Sequence, residues 1–226
     1  MPTTTDLQLL RADGQLSPMF GFLNAHRAFR RDARRFLATA ERWRTRTPTD
    51  QQFDGFRWHW DRYDEALHFH HTMEDERLFV AAGAARPDLA PLIAELGAQH
   101  LALDDLLPRL RAALTPEGFG RGDAAGGLAE LGSLLEPHLA AEEEHLVPVI
   151  LAAAEQQGPP PGPPPDEEAP VLALRPSFAV PWAADGLDPD VHAAATELLP
   201  EPLRSTAPEL ERDYTERLSR WWPSGA

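Results

Sequence analysis

The 226 residues are long enough for one compact domain plus an appendage, and 42% hydrophobic content is enough to build a buried core. A formal net charge of -15, with every one of the 21 basic side chains an arginine, excludes the basic surface that nucleic acids and anionic membranes select, and the lack of lysine excludes Schiff-base chemistry. The absence of cysteine excludes disulfides, thiolate metal sites and a thiol nucleophile. No apolar run approaches the roughly 18 residues that span a bilayer, and the first residues carry no basic segment followed by an apolar one, so a cytoplasmic location is expected.

Taken in chain order, Ser17 and Pro18 predict a helix start, and Met19, Phe22, Leu23, Phe29, Ala33, Phe36, Leu37 and Ala40 form an apolar stripe at helical spacing. Asp50 reads as the cap of a second helix with stripe Phe53, Phe56, Trp60, Tyr63, Leu67 and Leu78, closed by a turn at Gly83 and Pro87. Asp88 reads as the cap of a third, striped by Leu89, Leu92, Ile93, Leu96, Leu103 and Leu107 and kinked or ended by Pro108. The run TPEGFGRGDAAGG predicts a loop, and Leu128, Leu131, Leu135, Leu139, Leu146 and Val149 predict a fourth helix. Four such helices imply an all-α, up-down-up-down four-helix bundle over residues 1–156. Residues 157–170, GPPPGPPPDEEAP in the main, predict an extended Pro-rich linker. Residues 171–226 predict an irregular piece around Arg175 to Trp182, a short helix from Asp188-Pro189 and a last one from Pro208 to Trp222. This helical extension is too small for its own core and is expected to pack on the bundle or on a partner.

Polar residues interrupt each stripe at the same kind of position. His26, His70, His100 and His138 each stand where the spacing calls for an apolar side chain, and Glu74 and Glu142 follow two of them at i+4, on the same helix face. All four histidines fall within a turn or two of one level of the bundle at 1.5 Å per residue. An unsatisfied buried polar group costs roughly 1–3 kcal/mol and a buried carboxylate more, so six together need a compensating partner. Nitrogen and oxygen donors without sulfur suit iron or manganese, with zinc possible, and six ligands exceed the about four that one zinc takes. A metal pair is the economical reading. His59, His68 and His192 read as packing or surface residues.

His26, then HHTMEDERLF from His70 to Phe79, then AQHLALDDL around His100, then HLAAEEEHLVP from His138 to Pro148, resemble the hemerythrin-like HHE family in order and spacing. The resemblance covers about residues 17–155. It implies a non-haem diiron centre with an oxo or hydroxo bridge, one iron on His26 and His70, the other on His100 and His138, with Glu74 and Glu142 bridging. Oxygen-carrying members have a second histidine one turn after that of the third helix; here the position holds Asp104, which could ligate, accept a hydrogen bond or leave the site to water, and which argues against reversible oxygen transport. The resemblance makes His71 and His145 further candidate ligands, against packing or surface roles. The expected function is binding or reacting with O2, NO or peroxide, or handling iron. An oxidase or oxygenase acting on an organic substrate, and a metal-free interaction bundle, are the alternatives. Expected partners are a small diatomic or peroxide ligand, with self-association or protein docking through the extension.

Overall fold

Thr49 shows how locally the helices are encoded. Its hydroxyl accepts from the Gln52 backbone N–H at 3.3 Å, while the Gln52 side chain accepts from the Thr49 N–H at 3.0 Å, a reciprocal capping box. The cap is therefore Thr49, and Asp50, expected in that role, is the first helical residue, where its charge still complements the helix dipole. Thr49→Ala is expected to lower stability by about 1 kcal/mol in urea unfolding, with the metal centre unaffected.

The computed structural model describes residues 9–157 and 175–222. Its long helices are α1 (Phe20–Trp43), α2 (Asp50–Met73), α4 (Ala90–Ala113) and α6 (Asp123–His145), joined by the shorter α3 (Phe79–Ala85), α5 (Pro116–Arg121) and α7 (Val147–Gln157). The extension holds α8 (Pro176–Ala184), α9 (Pro189–Glu197) and α10 (Leu203–Ser219). The architecture is the all-α helical bundle that the periodicity predicts. Among the described residues the only β-type pairing is an isolated bridge between Leu10 and Leu16, and no helix is long and apolar enough to cross a membrane.

Several local expectations are corrected. α4 runs through Pro108 to Ala113, and α6 runs through Pro137, so neither proline ends its helix. The predicted 115–127 loop is mostly helical: Thr115 caps α5 by accepting from the Gly118 N–H, and Gly122, at φ 86, makes the left-handed turn into α6. Asp88 does not cap α4; its carboxylate takes two hydrogen bonds from Arg86. The segment from Arg175 to Trp182, expected to be irregular, is α8, and α10 begins five residues before Pro208. The Pro-rich linker falls almost wholly at 158–174, outside the described residues.

The described residues divide into two compact units that do not follow chain order. In one, formed within Met1–Ala28 and Pro160–Ser219, the extension is fastened to the first turns of α1. Asn24 donates to the Ala183 carbonyl at 3.0 Å, and the Arg27 guanidinium donates to the Ala183 and Asp185 carbonyls at 2.9 Å each. Phe178 stacks on Trp182 and meets Tyr214 of α10.

The other unit, within Phe29–Pro159 and Arg220–Ala226, holds the metal-ligand candidates of α2, α4 and α6. Phe36 of α1 is its aromatic hub, with Phe56, Trp60 and Tyr63 of α2 at ring-centroid distances of 5.1–5.3 Å. Trp221 completes the hub, stacking on Phe36 at 5.3 Å with its carbonyl accepting from Arg42. Each fully buried ring of this kind stabilises by roughly 1.5–3 kcal/mol, more than any exposed ion pair nearby. A second apolar cluster of Phe79, Ala82, Leu96 and Leu146 closes the opposite end.

Between α2 and α3 the chain makes one π turn, Glu74–Leu78, in which the Phe79 N–H donates to the Glu74 carbonyl five residues back. In a regular helix a residue five positions on lies about 140° round the axis. The wider turn brings Phe79 onto the inward face instead, so Phe79 is buried where the sequence pattern placed Leu78.

Candidate metal centre

His70, His71, Glu74, His100, His138 and Glu142 are all buried, and all belong to the unit just described. The sequence reading gave one inward histidine per helix, with His71 a further candidate, yet α2 contributes two in succession. The inward arc of a bundle helix is wide enough to address two neighbours. The His70 ring packs on Phe29 of α1 at 5.1 Å, whereas the His71 ring stacks on His100 of α4 at 4.2 Å and meets His138 of α6 at 5.5 Å.

Two groupings of donor atoms result. In the first, ligand atoms of His71, Glu74, His100 and His138 lie within 4.8 Å of one another. In the second, those of His70, Glu74 and Glu142 do the same. Glu74 belongs to both. Its Oε1 is 2.8 Å from His70 Nε2 and its Oε2 is 3.3 Å from His100 Nε2, so the two oxygens of one carboxylate face different histidines. Glu142 Oε1 lies 3.5 Å from His138 Nε2.

The protonation chemistry of the site asks for a cation. His100 Nε2 and His138 Nε2 face each other at 3.2 Å, a distance at which two lone pairs need a proton or an ion between them. Both Nδ1 atoms are already committed: His100 Nδ1 is 3.0 Å from Asp75 Oδ1, and His138 Nδ1 is 3.0 Å from Gln99 Oε1. With acceptors at both Nδ1 positions, those nitrogens carry the protons and the Nε2 lone pairs are turned inward. Both ring nitrogens of His71 are buried with no hydrogen-bond partner in the structure. Burial, then repulsion from His100 and His70, pushes its pKa down to about 2, so it is a neutral imidazole with a lone pair to give.

The carboxylates show the complementary strain. Burial and then the neighbouring Glu74 charge push the Glu142 carboxyl well above its usual range. For His100, burial pushes the pKa down, but the hydrogen bond and attraction of Glu74, with Asp75 beside it, outweigh burial and raise it. Two touching carboxylates beside a neutral His71 and the facing nitrogens of His100 and His138 form a site that gains from divalent charge.

Asp104 and His145 are exposed and lie outside the cluster. The inward stripe of α4 steps from His100 to Leu103 to Leu107, so the i+3 residue takes the inner position and Asp104 falls beyond its edge. On α6 the stripe steps from Leu139 to Glu142 to Leu146; here the i+4 residue takes the inner position, and His145, at i+3, falls beyond the other edge. His26 is wholly buried, its ring 4.1 Å from that of Phe22, and stands one turn before Phe29 and Arg30 on the continuous helix α1. His68 is exposed, His192 pairs with Glu211, and His59 is buried against Asp32.

Asp75 and Gln99 were not singled out by the sequence reading. Each is the immediate neighbour of a ligand candidate, and acceptors that orient metal-bound histidines are the general pattern. Gln99→Ala is expected to weaken metal binding by about 10–100-fold in a chelator competition titration, with the fold retained. Unchanged affinity would mean that the Gln99 contact does not orient His138.

No curated protein and no solved structure matches the chain. The family model of the hemerythrin HHE cation-binding domain matches residues 21–158, more than half of its length. The chain therefore belongs to the hemerythrin HHE cation-binding family and is a metal-binding, hemerythrin-like helical bundle.

Proposed function

We propose that this is a non-haem diiron protein that binds or reacts with O2, NO or peroxide. The observation that carries the reading is Glu74, whose two oxygens face histidines of two different donor groups. That is the disposition of a carboxylate bridging two ions. His71, His100 and His138 would hold one iron, with His70 and Glu142 on the other.

His26 is proposed as a further ligand on the His70 side. Two contacts support it. Phe29, one turn after His26, packs on the His70 ring, and Arg30 forms an ion pair at 2.5 Å with Glu143, the neighbour of Glu142. Both tie the stretch of α1 just after His26 to the ligand-bearing turns of α2 and α6. The all-nitrogen-and-oxygen donor set favours iron over the softer thiolate-bound metals, with manganese or zinc the less favoured occupants.

A bound iron pair would supply redox chemistry toward small oxygen and nitrogen species. The protein's part is to orient and to shield. Asp75 and Gln99 fix the tautomers of His100 and His138, and Phe79 lies flat on the His100 ring at 5.4 Å, keeping bulk water from that face. With Asp104 pointing outward, α4 offers His100 alone as a ligand.

Metal analysis of aerobically purified protein, paired with its near-ultraviolet and visible absorption, tests the proposal. Iron at about two per chain with oxo-bridge charge-transfer bands is expected, and those bands should respond to peroxide or NO. A stoichiometric single zinc with no visible bands would overturn it.

A further inference from the structure

Two buried indoles stand out once the metal centre is set aside. Trp60 and Trp221 are almost fully enclosed, yet each Nε1 is buried with no hydrogen-bond partner in the structure. Buried indole N–H groups ordinarily find an acceptor, and going without one costs roughly 1–3 kcal/mol apiece. Two such groups in one aromatic hub call for an explanation.

The rings around them are continuous. From the His70 ring, Phe29 is at 5.1 Å, Tyr63 at 5.5 Å from Phe29, and Trp60 stacks on Tyr63 at 5.7 Å. Trp60 and Trp221 both touch Phe36 at 5.3 Å, and Trp221 meets Trp222 at 6.2 Å. Trp222 is half-exposed, with the Arg35 guanidinium 5.9 Å above its ring. The chain has no cysteine and three methionines, so few sulfur groups stand ready to absorb an oxidising equivalent instead.

We propose that this file of rings is an electron relay, through which one-electron donors of the phenol class at the Trp222 surface reduce peroxide taken up at the metal centre. The inference rests on the diiron reading. Trp60, Trp221 and Trp222 hold the charge, and Phe29, Tyr63 and Phe36 narrow the gaps between them. An indole whose N–H has no acceptor cannot lose its proton when oxidised, so Trp60 and Trp221 pass the charge on rather than trap it. Trp222 differs. Arg35 above its face disfavours a positive ring, and water can take the indole proton, so the charge stops there until a donor arrives. Each donor loses one electron and one proton; two electrons travel inward, two protons are drawn from water at the site, the O–O bond breaks and two water molecules form.

The test is freeze-quench electron paramagnetic resonance of the iron-loaded full chain mixed with hydrogen peroxide without donor, followed by peptide mass spectrometry. A tryptophanyl radical and oxygen addition concentrated at Trp222 are expected, both absent from metal-free protein treated identically. Trp222→Phe, a half-exposed replacement that keeps packing, should abolish the Trp222 product while leaving iron content and absorption unchanged. Trp60→Phe should move oxidation inward, to Met73 beside Glu74. Equal Trp222 oxidation in metal-free protein, or no protein radical in the iron-loaded chain, would overturn the relay. Iron bound without a radical sinks the relay alone; a chain that binds no iron sinks the relay and the diiron reading together. Should Trp60→Phe fail to fold, Trp222→Phe and the metal-free control decide the matter.

Discussion

Replacing Glu74 with alanine is expected to empty both halves of the metal centre, whereas replacing His71 is expected to weaken only one. Glu74 is shared: one oxygen serves the His70 group and the other the group of His71, His100 and His138. Its loss removes a donor from each ion and also the negative charge that offsets both. The fall in affinity should exceed the roughly 10–100-fold that follows loss of an orienting partner such as Gln99. His71→Ala removes one neutral donor from one group and leaves the His70 and Glu142 side intact. Inductively coupled plasma analysis on both variants, dialysed against a weak chelator, separates these outcomes. Equal metal content in Glu74→Ala and the parent chain would show that Glu74 does not bridge.

The largest purely structural effect is expected at Asp32. This carboxylate is fully buried and takes hydrogen bonds from Arg31 at 2.9 Å and Arg35 at 3.2 Å, with His59 Nε2 at 2.7 Å. Burial pushes its pKa up, but Arg31 and His59 more than reverse this and hold it well below the usual range. Asp32→Ala leaves the half-buried Arg31 and Arg35 and the buried His59 without their shared acceptor and should cost about 3–5 kcal/mol in urea unfolding at neutral pH. The pH dependence follows in sign. A carboxyl with a depressed folded pKa contributes fully above its unfolded value of about 3.9 and loses that contribution as pH falls through the folded one. The difference in stability between parent and variant should thus be constant at neutral pH and shrink only at strongly acid pH. A difference within about 0.5 kcal/mol at neutral pH would show the cluster to be surface-like in strength.

What the sequence made legible was whatever repeats with the helix. The four long helices, and the inward placement of His70, Glu74, His100, His138 and Glu142, follow from apolar positions recurring at three and four residues. Errors arose where one residue of offset decides the outcome. Asp104 lies at i+4 from His100 where α4 uses the i+3 position, Leu103, on its inner face; His145 lies at i+3 from Glu142 where α6 uses the i+4 position, Leu146, and only neighbouring helices decide which. His71 was underrated for the converse reason: one stripe per helix does not describe a helix that faces two neighbours. Trp221 and Trp222 read as packing anchors; their seat against Phe36 and Arg35 depends on contacts more than 180 residues apart in sequence, beyond any local pattern.

The π turn after His71 can be restated in terms of chain length. It amounts to one surplus residue, so deleting Asp75 alone would restore a regular helix and rotate everything after it by about 100°. Phe79 would leave the His100 ring and the apolar end cluster would lose its register, while His70, His71 and Glu74, lying before the deletion, would keep theirs. The metal ligands of α2 are thus insulated from the packing of α3 by a single amino acid. Length variation in this protein should be severely penalised at this one turn.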